Sequence, residues 1–172
     1  QWLPSIQLAA LSPRAQLPYE QLSGGFGPTA LWGLLRPNPG EWSPLYVGIV
    51  PLGLAVVGLS VGRAEVRFWA VAATVALLLS LGRHGFLYPL LYTLEPRAAL
   101  FRGQERAAFV VSFALIVLAG YGFSRLIRRE WRPRWALPVL LGLTMIDLFR
   151  ANYGIILQQP PTGGFFAQTP AA

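Results

Sequence analysis

The chain has 172 residues, of which 54% are hydrophobic and 12% charged, and its mean hydropathy is +0.48. Soluble domains carry about 25% charged residues, so this composition excludes an ordinary water-soluble domain and indicates an integral membrane protein. The net charge of +7 rests on 14 arginines and no lysine, but the long apolar runs between these charges argue against a nucleic-acid-binding surface.

The N-terminal part of the chain precedes the long apolar segments. Residues 1–11 belong to the opening QWLPSIQLAALSPR, which has no basic n-region and no cleavage signal. We interpret them as the end of a truncated membrane helix, and therefore expect the chain to be a piece of a longer protein. Residues 12–43 are rich in proline, glycine and aromatic residues and are predicted to form an outer loop.

Four apolar segments lie between residues 44 and 154. Their lengths are close to the roughly 20 residues that a helix needs to cross a bilayer. The segments are 44–62, 66–82, 107–127 and 134–154. The sequence therefore predicts an all-α integral membrane protein, a polytopic helix bundle with about four full spans plus the partial N-terminal one. Pro51 and Pro138 are expected to kink the first and fourth helices.

Arginine is concentrated in two short links, 63–67 and 125–134, which hold seven of the 14 arginines. Because arginine is enriched in cytoplasmic loops, we predict that both links face the cytoplasm. The loop 83–106 and the tail 155–172 then face outward, and the tail is interpreted as an outer tail or linker. The segment 85–94 is apolar but too short to span, and we expect it at the membrane interface or re-entering the membrane.

Small residues recur at helical spacing in the first two spans. Gly58 and Gly62 form a GxxxG pattern, and Ala72, Ala76 and Ser80 continue it on the second span. Such positions let helix backbones approach closely. We interpret them as packing within one bundle, with a dimer face as the alternative, and the oligomeric state stays open.

Two arginines and an acid precede the third span, in the sequence FRGQER at 101–106. If the helix starts by residue 102, Arg102 and Arg106 share one helical face, where paired guanidinium groups suit a phosphate or pyrophosphate. Glu105 is then either an acid favoured by the helix dipole or a partner that orients an arginine. The alternative is that both arginines are interfacial anchors for lipid phosphates.

Asp147 is the only acid inside a predicted span, and intramembrane carboxylates are costly enough to suggest a function. Arg150 lies three residues further on, so a structural Asp147–Arg150 pair is the alternative. His84 is the only histidine, which is too few for a metal cluster. No metal site and no cofactor is predicted, although a requirement for a divalent metal stays open.

Three stretches of the chain resemble the bacterial YfhO-like membrane proteins. They are QWLPSIQLAALSPR, SPLYVGIVPLGLAVVGL and the long segment that runs from SLGRHGFLYPLLYTL to LIVLAGYG. In that family a loop of the type Leu-Pro-Gly-…-Phe-Arg-x-Pro-x-Arg leads into an apolar helix, and Phe101, Arg102 and Arg106 match this loop. Gln104 stands in place of the usual proline, and EPR at 95–97 in place of the tight Pro-Gly turn. TMIDLFRANYG resembles the helix that precedes the family's outer soluble region, with its aspartate at the matching place.

The resemblance implies a GT-C-like glycosyltransferase in the bacterial cytoplasmic (inner) membrane. Such a protein transfers a sugar from a polyprenyl-phosphate carrier to a cell-envelope acceptor. The resemblance implies that Arg102 and Arg106 bind the lipid phosphate, with Glu105, Asp147 and Arg150 as candidate supporting residues. In GT-C enzymes the catalytic acid lies in the first outer loop, which would precede this chain, so no catalytic residue is assigned here.

Two other functions stay open for this sequence. One is a lipid-linked-sugar transporter, or flippase, that uses the same anion site without chemistry. The other is a non-catalytic membrane assembly module that uses the small-residue faces to bind another subunit. The expected partners are membrane lipids and the polyprenyl-phosphate sugar, and no nucleic acid is expected. The identity of the sugar and of the acceptor is not indicated.

Overall fold

The structure is a computed structural model that describes residues 19, 23–37, 43–94, 103–128 and 135–157. All regular elements within these residues are helical and none is a strand, so the predicted all-α fold is confirmed. The α-helices are α1 (Ile49–Leu59), α2 (Ala64–Ser80), α3 (Leu87–Leu94), α4 (Ala108–Arg128) and α5 (Ala136–Leu157). Short 3₁₀-helices cover Pro28–Leu34, Gly82–His84 and Gln104–Ala107. The helix predicted over 1–11 and most of the tail 155–172 lie outside the described residues.

The predicted spans 66–82, 107–127 and 134–154 coincide with α2, α4 and α5, but the first span does not form as predicted. Only 11 residues of 44–62 are helical, those of α1. At 1.5 Å per residue α1 is about 16 Å long, roughly half of the hydrocarbon thickness of a bilayer. Gly48 precedes α1 with a φ of +97°, which a right-handed helix cannot include, so the helix cannot extend further towards residue 44.

The two predicted proline kinks are wrong. Pro51 lies in the first turn of α1, and Pro138 lies in the first turn of α5. A proline in the first turn has no preceding helical carbonyl to clash with, and its missing N–H has no intrahelical partner there in any case. Both prolines therefore mark where helices begin.

Helices α1 and α4 cross with their backbones in contact. A Cβ atom built on Gly58 would lie 2.1 Å from the carbonyl oxygen of Leu118. One built on Gly122 would lie 1.9 Å from the carbonyl oxygen of Leu54. The packing of Gly58 inside the bundle is thus confirmed, whereas Gly62 is exposed and faces open space. The partner of Gly58 is Gly122, which lies outside the small-residue pattern of the first two predicted spans.

Two small clusters of buried residues fix the remaining packing around α4. One cluster joins Leu45, Ala76, Ala108 and Val111. The other joins Ala55, Val66, Leu118 and Ala119. Both contain residues of α2 and α4, and the second adds α1, so α4 is the central helix of the described bundle.

The segment before the first 3₁₀-helix packs on the end of α2 through glycines. Phe26 donates its backbone N–H to the Ser80 carbonyl at 2.9 Å. A Cβ atom on Gly82, whose φ is +52°, would lie 1.7 Å from the carbonyl oxygen of Gly24. This contact brings the segment 23–27 to the same end of the bundle as the start of α4.

The outward surfaces of the helices are apolar. Large side chains that are more than half exposed occur on α1, α2, α4 and α5: Val56, Phe68, Val71, Phe109, Ile116, Met145 and Phe149. In the described part of the chain, one helical stretch, Gln104–Ile127, is long and apolar enough to cross a membrane, with a mean hydropathy of 2.0. The arrangement of four spans and its orientation stay predictions.

Candidate functional site

The loop before α4 differs from the helical start that the sequence suggested. Gly103 has a left-handed φ of +90°, and a 3₁₀ turn over Gln104–Ala107 follows before α4 begins at Ala108. The helix does not start by residue 102. The argument that Arg102 and Arg106 share one helical face is therefore wrong. Arg102 itself lies outside the described residues.

Arg106 and Glu105 fold back over the glycines around them. A Cβ atom on Gly103 would lie 3.1 Å from Nε of Arg106 and 3.4 Å from Oε1 of Glu105. One on Gly24 would lie 3.7 Å from Oε2 of Glu105. A side chain at Gly103 would crowd the Arg106 guanidinium, whereas the Glu105 carboxylate lies at an ordinary contact distance from Gly24. Gly103 thus has two roles in the loop. It adopts the left-handed conformation of the turn, and its small size leaves room for the Arg106 side chain.

These two charged side chains line a cavity of about 450 Å³ at the N-terminal end of α4, which we call the N-end cavity. Tyr46 adds a hydroxyl group to the lining, and Phe109, Ile116 and Leu148 add apolar surface. Ile116 lies ten residues beyond Arg106, which is about 15 Å along a helix. The cavity therefore presents charge at the start of α4 and apolar surface further along it. Its volume is within the usual range for ligand sites, about 300–1,000 Å³.

The opposite wall of the N-end cavity is the segment 43–47, which α4 holds in place. The Ser112 hydroxyl donates a hydrogen bond to the Pro44 carbonyl oxygen, with 2.6 Å between the two oxygens. Leu45 and Val47 are buried on either side of Tyr46. Tyr46 lies between these two buried residues, and its hydroxyl reaches Asp147 of α5.

Asp147 of α5 holds both Tyr46 and the start of α1. Its Oδ1 accepts a hydrogen bond of 2.6 Å from the Tyr46 hydroxyl, and its Oδ2 accepts one of 2.9 Å from the backbone N–H of Ile49. Gly48 lets the carboxylate approach, since a Cβ atom there would lie 3.2 Å from Oδ2. A carboxylate at a helix N-terminus satisfies an unpaired N–H and is favoured by the helix dipole. Asp147 thus acts as a capping group for α1, supplied by another helix.

The alternative pairing of Asp147 with Arg150 does not form in the described part of the chain. Both carboxylate oxygens of Asp147 are engaged by Tyr46 and Ile49, and Arg150 is exposed. No local pattern in the sequence indicates these partners, because they lie about a hundred residues away in the chain. The one available signal was the cost of a carboxylate inside an apolar helix, which indicates that it must meet donors somewhere.

The remaining sequence candidates lie apart from this cavity. His84 is exposed, and its Nε2 accepts a weak hydrogen bond of 3.5 Å from Nε of Arg83. Within the described residues, no group of three His, Cys, Asp or Glu side chains could hold a metal ion. The N-end cavity therefore contains two residues of the predicted site, Glu105 and Arg106, and borders Asp147 through Tyr46, whereas Arg150 is not among its lining residues.

Comparison with known proteins returns no relative. No family model, no curated protein and no solved structure matches the chain. The likeness to the YfhO-like family thus depends on the stretches quoted above, and the family stays a prediction.

Proposed function

We propose that this protein is a membrane-embedded, GT-C-like glycosyltransferase that takes a sugar from a polyprenyl-phosphate carrier and adds it to a cell-envelope acceptor. The observation that carries the proposal is the N-end cavity, which combines Arg106 at its charged end with apolar walls along α4. A polyprenyl phosphate has the same order of chemistry, with an anionic head followed by an apolar tail. The head would lie at Arg106 and the first isoprene units beside Phe109 and Ile116.

A membrane location is supported by the surface of the bundle. In a water-soluble protein a helix as apolar as Gln104–Ile127 is a core helix, but only 33% of its apolar window is buried. The other helices also expose large apolar side chains. Contiguous apolar surface of this kind marks contact with lipid or with other proteins. We place the protein in the bacterial cytoplasmic membrane, with the N-end cavity on its outer side.

The charged residues at and beside the cavity have proposed roles in donor binding. The planar guanidinium of Arg106 binds phosphate oxygens through two parallel hydrogen bonds. Glu105 limits the orientations of that guanidinium, because both side chains pack over Gly103. Arg102, which directly precedes Gly103 in the chain, is proposed as the second phosphate ligand. Asp147 keeps Tyr46 in the cavity wall, and no residue is assigned as the catalytic acid.

The test is donor turnover by the intact protein in lipid nanodiscs. Release of polyprenyl phosphate from a polyprenyl-phosphate sugar is measured for the wild type, for Arg106→Ala and for the control Arg83→Ala, an exposed arginine outside the cavity. We expect turnover by the wild type and the control and its loss in Arg106→Ala. Equal turnover by all three proteins would remove Arg106 from the site.

The flippase function is separated from transfer by a second readout. Wild-type protein in vesicles is given the same donor on one side, and both donor translocation and released polyprenyl phosphate are followed. Glycosyl transfer predicts release of polyprenyl phosphate. Translocation of the intact donor without release would replace the transferase with a transporter that uses the same cavity.

A further inference from the structure

A second cavity lies at the other end of α4 and has a different chemistry. Its volume is about 360 Å³, and we call it the C-end cavity. Two arginines and three hydroxyl groups are among its lining residues: Arg63, Arg125, Ser60, Tyr121 and Ser124. Among the residues that the structure describes, no acidic side chain belongs to the lining. The described lining therefore brings two positive charges and several polar groups together at one cavity.

The guanidinium of Arg125 is held in position at this cavity. Its Nη1 donates a hydrogen bond to the carbonyl oxygen of Ser60, directly after the last residue of α1. Carbonyl groups at a helix C-terminus lack intrahelical donors and carry partial negative charge, so an arginine there is favoured. A guanidinium has five N–H donors, so this single bond fixes its direction and leaves donors for a ligand.

Arg63 approaches the same cavity from the start of α2. It is the N-cap residue of that helix, with an extended backbone and an exposed side chain. Ser60 donates its own hydroxyl to the Val57 carbonyl, which leaves its Oγ able to accept a hydrogen bond. The two arginines thus come from different elements and face one space between the α1–α2 turn and the last turns of α4.

We propose that the C-end cavity binds a phosphate ester, most naturally the headgroup of an anionic phospholipid. Two guanidinium groups match the planar, multidentate geometry of phosphate oxygens. Exposed apolar side chains flank the cavity, since Leu59 at the end of α1 is 52% exposed and Leu126 on α4 is 44% exposed. Acyl chains can lie on these side chains while the headgroup occupies the cavity. This inference rests on the membrane location proposed above but not on the donor site at the N-end cavity.

The test compares two charge reversals one helical turn apart. Arg63→Glu reverses a charge that lines the cavity, and Arg67→Glu makes the same change on α2 outside the lining. Native mass spectrometry of the intact protein in detergent measures the retention of phosphatidylglycerol against phosphatidylcholine. A parallel titration with inorganic phosphate distinguishes recognition of phosphate alone from recognition of the lipid. Far-ultraviolet circular dichroism checks that both variants keep their helix content.

We expect the wild type and Arg67→Glu to retain phosphatidylglycerol in preference to phosphatidylcholine. Arg63→Glu should bind it at least tenfold more weakly, which is about 1.4 kcal/mol. If inorganic phosphate displaces the lipid, the site recognises the phosphate group itself. If it does not, the site recognises the whole lipid. Equal loss in both variants, or no preference in the wild type, would overturn the proposal.

A third variant keeps the proposal testable if Arg63→Glu unfolds. Arg125→Gln retains an amide donor for the Ser60 carbonyl but removes the positive charge. We expect normal helix content and weakened phosphatidylglycerol retention for this variant. Unchanged retention would exclude Arg125 from the site.

Discussion

Helices α1 and α5 both join the rest of the bundle, but by different physical means. The short helix α1 packs on α4 through Gly58, where the two backbones touch. The longer helix α5 exposes large apolar side chains such as Met145 and meets the start of α1 through the carboxylate of Asp147. Close packing at a glycine depends on shape, whereas docking through a carboxylate depends on charge and hydrogen bonds. Substitutions at the two junctions should therefore reduce stability by different amounts, through steric overlap at the glycine and through lost hydrogen bonds at the carboxylate.

The largest expected effect is at the α1–α4 junction. Leucine at Gly58 or Gly122 would overlap the backbone of the facing helix, so we expect each variant to lose more than about 3 kcal/mol of stability. Thermal unfolding in detergent, followed by circular dichroism, measures the loss. The matched controls are Gly53→Leu on α1 and Gly120→Leu on α4, where a side chain meets open space. If the controls are as damaging as the junction variants, the backbone contact is not what holds α1.

Gly58→Leu has a further consequence for the assembly-module function. Because Gly58 lies inside the α1–α4 crossing, loss of a partner in this variant would follow from unfolding and would not identify a dimer face. A substitution at exposed Gly62 is the cleaner probe of association, since nothing lies within contact of its Cβ position. Because Gly62 also lines the C-end cavity, phosphatidylglycerol retention is measured in the same variant. Copurification of a partner with the wild type, lost in Gly62→Leu with stability intact, would favour the assembly function.

The next effect is at the α5 junction. Asp147→Ala leaves the Ile49 N–H without its cap and the Tyr46 hydroxyl without its acceptor, so we expect a loss of about 2 kcal/mol. The control is Arg150→Ala, which removes the residue that the sequence suggested as the partner of Asp147. We expect Arg150→Ala to unfold at a temperature close to that of the wild type. Similar losses in both variants would restore the Asp147–Arg150 pair.

A smaller effect separates the two hydrogen bonds of Asp147. Tyr46→Phe removes one bond and leaves the Ile49 cap in place, so we expect a loss of about 1 kcal/mol. Tyr153→Phe on the exposed side of α5 is the control for loss of a phenolic hydroxyl. A loss in Tyr46→Phe as large as that in Asp147→Ala would mean that the Ile49 cap contributes nothing.

The same contrast explains how far the sequence could predict the fold. Apolar length alone located α2, α4 and α5, because it is a local property of each segment. The short length of α1 was missed, since Gly48 and Pro51 can equally lie inside or before a helix. The partners Gly122 and Asp147 could not be assigned, because each contacts residues far away in the chain. At the site, Glu105 and Arg106 do share a cavity, but Gly103 breaks the helix that was expected to align Arg106 with Arg102.

The most direct test of the proposed function is donor binding by the intact protein in nanodiscs. The dissociation constant of a polyprenyl-phosphate sugar is measured for the wild type, for Arg102→Ala/Arg106→Ala, and for the control Arg36→Ala/Arg83→Ala. The control removes the same charge from exposed arginines outside the N-end cavity. We predict at least tenfold weaker binding, about 1.4 kcal/mol, in the first double variant and wild-type binding in the control. Unchanged binding in Arg102→Ala/Arg106→Ala would contradict a phosphate site at the start of α4.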